Sequence, residues 1–79
     1  MVGKKEEKQI LKNLILRSLE GVKHGLITDE LVRKLVMIGA EEIVENEIEF
    51  TLSRIAMLAR NTKGVRARRG QYFLIKGVV

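Results

Sequence analysis

Seven side chains in the last third of this 79-residue chain have a type and spacing that suit a chemistry. Arg54, Arg60, Lys63, Arg66, Arg68, Arg69 and Lys76 follow one another with no acid among them. Up to Glu49 the balance is reversed, with eight basic residues set against all ten acids of the chain. The net charge of +5 therefore comes entirely from the C-terminal segment. Charge segregated in this way is the electrostatic footprint of a surface that binds a polyanion.

Other chemistries find little to work with. There is no cysteine, which excludes a disulfide framework and a thiolate metal site and points to a reducing, cytoplasmic setting. His24 stands alone, too few ligands for the usual zinc sets, and reads as an exposed loop residue. No hydroxyl, base and orienting group form a nucleophilic constellation, and no glycine-rich phosphate loop is present. The chain is expected to be neither an enzyme nor a carrier of metal or cofactor. No apolar run reaches the roughly 20 residues of a membrane span, and MVGKKEEK lacks the apolar stretch of a signal peptide.

The elements that must position the basic residues are legible from periodicity. Residues 1–79 are expected to form one small domain, and a chain of this size buries only about 60% of its unfolded surface. Leu, Ile and Val supply 26 residues against three aromatics, so the core is aliphatic. From Glu6 to Glu20, Ile10, Leu11, Leu14, Ile15 and Leu19 line one face of a helix that Gly21 and Gly25 close. Leu26 and Ile27 form a two-residue strand step suited to pairing with a later hairpin. Thr28 is placed to cap a second helix, with Asp29 and Glu30 in its first turn, Leu31, Leu35 and Ile38 buried, and Gly39 ending it after about ten residues.

A third helix has two possible origins. Asn46 followed by Glu49 matches a capping box that starts it at Glu47; alternatively it runs from Glu41. Either way Val44, Ile48, Leu52, Ile55 and Ala59 make the buried stripe, and the helix ends near Asn61. The opposite face carries Phe50, Ser53, Arg54, Met57 and Asn61. Past Thr62 the pattern alternates: Val65 and Ala67 take one side of a strand and the arginines the other. Arg68-Arg69-Gly70 fits a tight loop with glycine in the bulge position after a type I turn. The return strand, Tyr72 to Ile75, is apolar on both faces.

This order, mostly α with a small β-hairpin, resembles a winged helix-turn-helix domain of three helices and a C-terminal wing. TDELVRKL is similar to the capped second helix of that family, EFTLSRIAMLAR to its recognition helix, and RRGQYFL to its wing. The resemblance implies duplex DNA as partner, with the third helix in the major groove and the wing on the adjacent backbone. It assigns Ser53, Arg54 and Asn61 to the helix, and Arg66, Arg68 and Arg69 to the wing; Arg60 and Lys63 extend the basic series between them. One feature departs from the family. A helix starting at Glu47 or Glu41 opens with carboxylates, where docking brings its first residues toward the bases.

The functional expectation is therefore sequence-selective binding of double-stranded DNA, as a transcriptional regulator. A homodimer is expected, because Phe50, Met57, Phe73 and Ile75 add apolar surface beyond what one domain hides, and the apolar Val78-Val79 end extends it. The alternative is a winged-helix protein-protein interaction module, whose helix-three acids and Phe50/Met57 face dock a partner in a larger assembly.

Overall fold

The computed structural model describes residues 3–75, so Lys76, Val78 and Val79, which figure in the expectations above, lie outside the described residues. Six elements follow in the order α1 (Lys4–Leu19), β1 (Leu26–Ile27), α2 (Thr28–Glu45), α3 (Leu52–Asn61), β2 (Val65–Arg68) and β3 (Gln71–Leu74). The three strands form one antiparallel sheet in the order β1-β3-β2. The expected architecture of three helices with a small hairpin is present, and the Leu26-Ile27 step joins the hairpin as its third strand.

The helices enclose an aliphatic core because each turns one stripe inward. Leu11, Leu14, Ile15 and Leu19 of α1, Leu31 and Leu35 of α2, and Ile55, Leu58 and Ala59 of α3 are buried together with Val65 and Tyr72 of the sheet. Full burial of a Leu or Ile side chain is worth about 1.5–3 kcal/mol relative to exposure. Several such residues per element explain why so short a chain holds three helices. Ser18, the polar residue within the α1 stripe, donates its hydroxyl to the Leu14 carbonyl at 2.7 Å, so its burial leaves no unpaired group. Gly21 ends α1 with a positive φ of 75°.

Thr28 does not cap α2. It is the first helical residue, and its hydroxyl instead donates to the Tyr72 Oη at 3.3 Å, tying the helix start to the centre of the sheet. The capping bond comes from Glu30, whose carboxylate accepts the Ile27 amide at 3.2 Å.

Nor does α2 end at Gly39. That residue leaves helical geometry (φ −109°, ψ 17°) and bends the helix, which then continues to Glu45. Gly39 is buried against Leu14, and an added β-carbon would lie 2.5 Å from the Leu14 Cδ1, so the missing side chain is what lets α1 and α2 approach. The helix stops in a Schellman motif. The Ile48 amide bonds the Ile43 carbonyl, the Glu47 amide bonds the Val44 carbonyl, and Glu47 takes the left-handed conformation with φ 51°.

Both expected origins of α3 are thereby corrected. Glu41 to Glu45 belong to α2, Asn46 is its C-terminal cap, and α3 starts at Leu52, where the Thr51 hydroxyl accepts the Arg54 amide at 3.1 Å. Of the expected stripe, Ile48, Ile55 and Ala59 are buried, but Val44 and Leu52 are exposed because Val44 sits on α2 and Leu52 opens α3.

The hairpin register pairs Val65 with Leu74, Arg66 with Phe73, Ala67 with Tyr72 and Arg68 with Gln71. Two residues remain for the loop, and both have positive φ: Arg69 at 53° and Gly70 at 76°. That is a type I′ turn rather than the expected type I turn with a bulge. Its twist matches that of the strands it joins.

Candidate nucleic-acid interface

Side chains directly opposite in an antiparallel ladder share a face. Val65, Tyr72, Leu74 and Leu26 thus point toward the helices, while Arg66, Arg68, Gln71 and Phe73 share the outer face of the sheet. Tyr72 is buried and Phe73 only half-buried, as this alternation requires. Arg66, Arg68 and Arg69 are exposed.

The outer face is bordered by residues that sequence reasoning left aside. Lys23, His24, Arg68, Arg69, Gln71 and Phe73 line one open depression near the hairpin tip. A second, next to it, is lined by Lys23, Arg66, Phe73 and Ile75 together with Val22 and Leu74. Lys23 and Phe73 belong to both, so the loop after α1 brings a further cation against the three arginines. The sheet explains it: β1 pairs with β3, and extending that antiparallel register back from Leu26 carries Lys23 and His24 along the return strand. Gly25 allows the close approach. With φ 78° it stands where a β-carbon would be 3.1 Å from the Tyr72 carbonyl oxygen.

On α3 the buried residues Ile55, Leu58 and Ala59 fix which side faces solvent. Ser53, Met57, Arg60 and Asn61 share the opposite side and, with Ala56, line one shallow groove. Lys63 is exposed in the turn that leads directly from α3 into β2. That turn is short, closed by the Val65 amide on the Thr62 carbonyl, with Thr62 donating its hydroxyl to the Leu58 carbonyl.

Arg54 lies apart from both groups. Its Nη1 bonds Glu7 at 3.2 Å and the Glu49 carbonyl at 2.7 Å, on the side of the molecule where Glu7, Glu47 and Glu49 surround a hollow with Phe50 and Thr51. Among the described residues this is the only ion pair. Arg60, Lys63, Arg66, Arg68, Arg69 and Lys23 therefore carry charges with no carboxylate partner there.

The four residues expected at a dimer interface are not brought together. Phe50 packs against the core from the connector, Met57 lies in the α3 groove, and Phe73 and Ile75 sit beside Arg66. Among the described residues, no three of His, Asp and Glu converge as metal ligands would, and no helix is long and apolar enough to cross a membrane.

Comparison of the chain with protein-family models, with curated proteins and with solved structures finds no match. The functional reading accordingly rests on the residues themselves.

Proposed function

We propose that this chain is a winged helix-turn-helix domain that binds duplex DNA, selectively by sequence, and acts in the cytoplasm as a transcriptional regulator. One observation carries the reading. Five cations between Arg60 and Arg69 are exposed, none is paired with a described carboxylate, and no acid interrupts them. The order of elements, with β1 closing a three-stranded sheet beside a two-residue hairpin loop, is compatible with that fold. The start of α3 supports it further. The carboxylates that departed from the family pattern belong to α2 and the connector, and α3 itself contains no acid.

In this mechanism Arg66, Arg68 and Arg69 neutralise phosphates from the hairpin, joined by Lys23, while Arg60 and Lys63 do so from the end of α3. Base selectivity comes from the α3 groove. Ser53 and Asn61 offer hydrogen bonds there, and an asparagine can bond adenine N6 and N7 together. Arg54 positions α3 and does not touch DNA. The features that would serve a protein-docking module instead are divided between two surfaces, since Glu47, Glu49 and Phe50 line one hollow and Met57 lies in the α3 groove.

Fluorescence anisotropy of a labelled random-sequence duplex at several salt concentrations tests the reading. Six phosphate contacts give a slope of log K against log salt of about −5 to −6, since each contributes roughly 0.9. A slope near zero, or no binding at low salt, removes DNA from the function.

A further inference from the structure

The chain has three aromatic residues, and packing accounts for two of them. Tyr72 is buried in the core and Phe50 lies against it, whereas Phe73 is half-buried without packing on the core cluster. Phe73 occupies the outer face of the central strand β3, directly across from Arg66 on β2. An antiparallel sheet with one face in water ordinarily alternates apolar-in and polar-out. Strand β2 keeps that rule with Arg66 and Arg68, and β3 breaks it at Phe73.

The surroundings of the ring state the chemistry it suits. Phe73 and Lys23 are shared by the two neighbouring depressions, of about 300 and 340 Å³, the lower end of the range for small-ligand sites. Arg66 stands in one and Arg68 and Arg69 in the other, and no carboxylate lines either. Arg66 and Arg68 lie two residues apart on one face of β2, about 6–7 Å along the strand, so they can hold successive phosphates of one chain. Cations along a groove neutralise a nucleic-acid backbone, and an aromatic face among them takes a base in stack. In a paired duplex each base is already stacked on its neighbours, so this ring has a base to meet only where the strand is unpaired. Gln71 and His24, beside the ring near the hairpin tip, offer hydrogen bonds to the edge of that base. A lipid surface fits less well, since insertion needs an apolar residue beyond the cations and the hairpin tip is Arg69-Gly70.

We infer that the outer face of the sheet binds single-stranded DNA, with one unpaired base stacked on Phe73 and the flanking phosphates on Lys23, Arg66 and Arg68. The inference rests on the proposed DNA binding for its cations, and adds to it a site for the opened strand.

The test compares an oligothymidine with an abasic oligomer of the same length, which has the same phosphates and no bases, and with a blunt duplex. In fluorescence anisotropy the wild-type chain is expected to bind oligothymidine about tenfold more tightly than the abasic strand, the effect of one stacked base. Phe73→Leu keeps an apolar side chain and should abolish that difference while leaving the salt slope unchanged, since no phosphate contact is lost. The chain has no tryptophan, so Phe73→Trp adds a single fluorophore on the same platform. Its emission should be quenched by oligothymidine and not by the abasic strand, and this variant decides if Phe73→Leu fails to fold. Equal affinity of the wild type for the two strands, a preference that survives in folded Phe73→Leu, or equal quenching of Phe73→Trp by both would each overturn the inference. Tighter binding of oligouridine than of oligothymidine would make the partner RNA and overturn it as well. The blunt duplex separates this site from the function it builds on. Duplex bound with no preference for bases overturns the single-strand site alone, oligothymidine bound without duplex overturns the duplex reading alone, and absence of all binding overturns both.

Discussion

Arg54 of α3 and Glu7 of α1 meet at 3.2 Å, with 29% and 20% of their side chains exposed, and the same guanidinium nitrogen reaches the Glu49 carbonyl at 2.7 Å. One side chain thus fastens the first turn of α3 to α1 and to the connector before it. A hydrogen bond to a charged group contributes more than a neutral one, and partial exposure reduces that, which leaves about 1 kcal/mol for the cluster. Arg54→Ala should lower stability by about that amount and leave the salt dependence of DNA binding unchanged. Chemical denaturation and anisotropy together check it: an unaltered melt with a slope shallower by about one unit would make Arg54 a phosphate ligand instead.

Gly39 and Leu14 give a second expectation. The β-carbon of Gly39→Ala would meet Leu14 atoms at 2.5 and 2.6 Å, and Leu14 is buried within the core cluster, so its shift would disturb other core side chains. Overpacking of this sort costs about 1–3 kcal/mol. The helix propensity gained by alanine, at most about 1 kcal/mol, is reduced further because Gly39 is not in helical geometry. A net loss of about 1–2 kcal/mol is expected in urea denaturation, and a stabilised variant would show that α1 and α2 can separate there.

The end of α2 makes the opposite prediction. Glu47 holds a left-handed conformation in the position a Schellman motif usually gives to glycine. Glu47→Gly should therefore raise stability by about 1 kcal/mol, since the left-handed conformation costs an L-residue roughly 1–2 kcal/mol. Thermal melts of the two chains decide, with an unchanged or lower midpoint counting against the strain.

These two positions also explain where the sequence misled. A lone glycine in an apolar pattern reads as a stop, but Gly39 serves a packing contact with Leu14, 25 residues earlier, which no local pattern records. The true stop carries a glutamate, so Asn46 looked like the start of the next helix when it caps the previous one. The α1 stripe, the Leu26-Ile27 strand and the alternation of Val65 to Arg68 were legible because their period is local. The turn type depended on a register that only the folded sheet fixes. Ser53, Arg60 and Asn61 could be grouped by helical spacing alone. Lys23 and His24, remote in the chain, could not be grouped with the arginines without following the β1–β3 pairing.

Changing Arg66, Arg68 and Arg69 together to Ala should make the salt slope shallower by about 2 to 3 units. Adding Lys23→Ala should remove about one more, because Lys23 faces both depressions that hold the arginines. All four residues are exposed, and exposed substitutions usually move stability within about 0.5 kcal/mol, so weakened binding would not reflect unfolding. If the arginines only keep the edge strand β2 from pairing with another chain, the slope stays constant and the variant associates more readily. Anisotropy titrations at several salt concentrations, with light scattering on each variant, separate the two roles.

Arg69 offers the sharpest test, because stability and binding should move in opposite directions. It occupies the first central position of a type I′ turn with φ 53°, where asparagine or glycine is strongly preferred and a long L side chain is strained. Strain of this kind costs about 1–3 kcal/mol and persists where it serves a function. The conformation aims a cation at the tip of the hairpin, beside Arg68 and Lys23. Arg69→Asn should relieve the strain and raise stability by about 0.5–1 kcal/mol, as fits a residue that tolerates the left-handed region. In the proposed mechanism the same change removes one phosphate contact, so the salt slope should become shallower by about 0.9. A variant that is both more stable and weaker in binding identifies Arg69 as a residue held at the tip for its charge. One that gains stability and binds duplex with the original slope would show that the tip does not reach the phosphates.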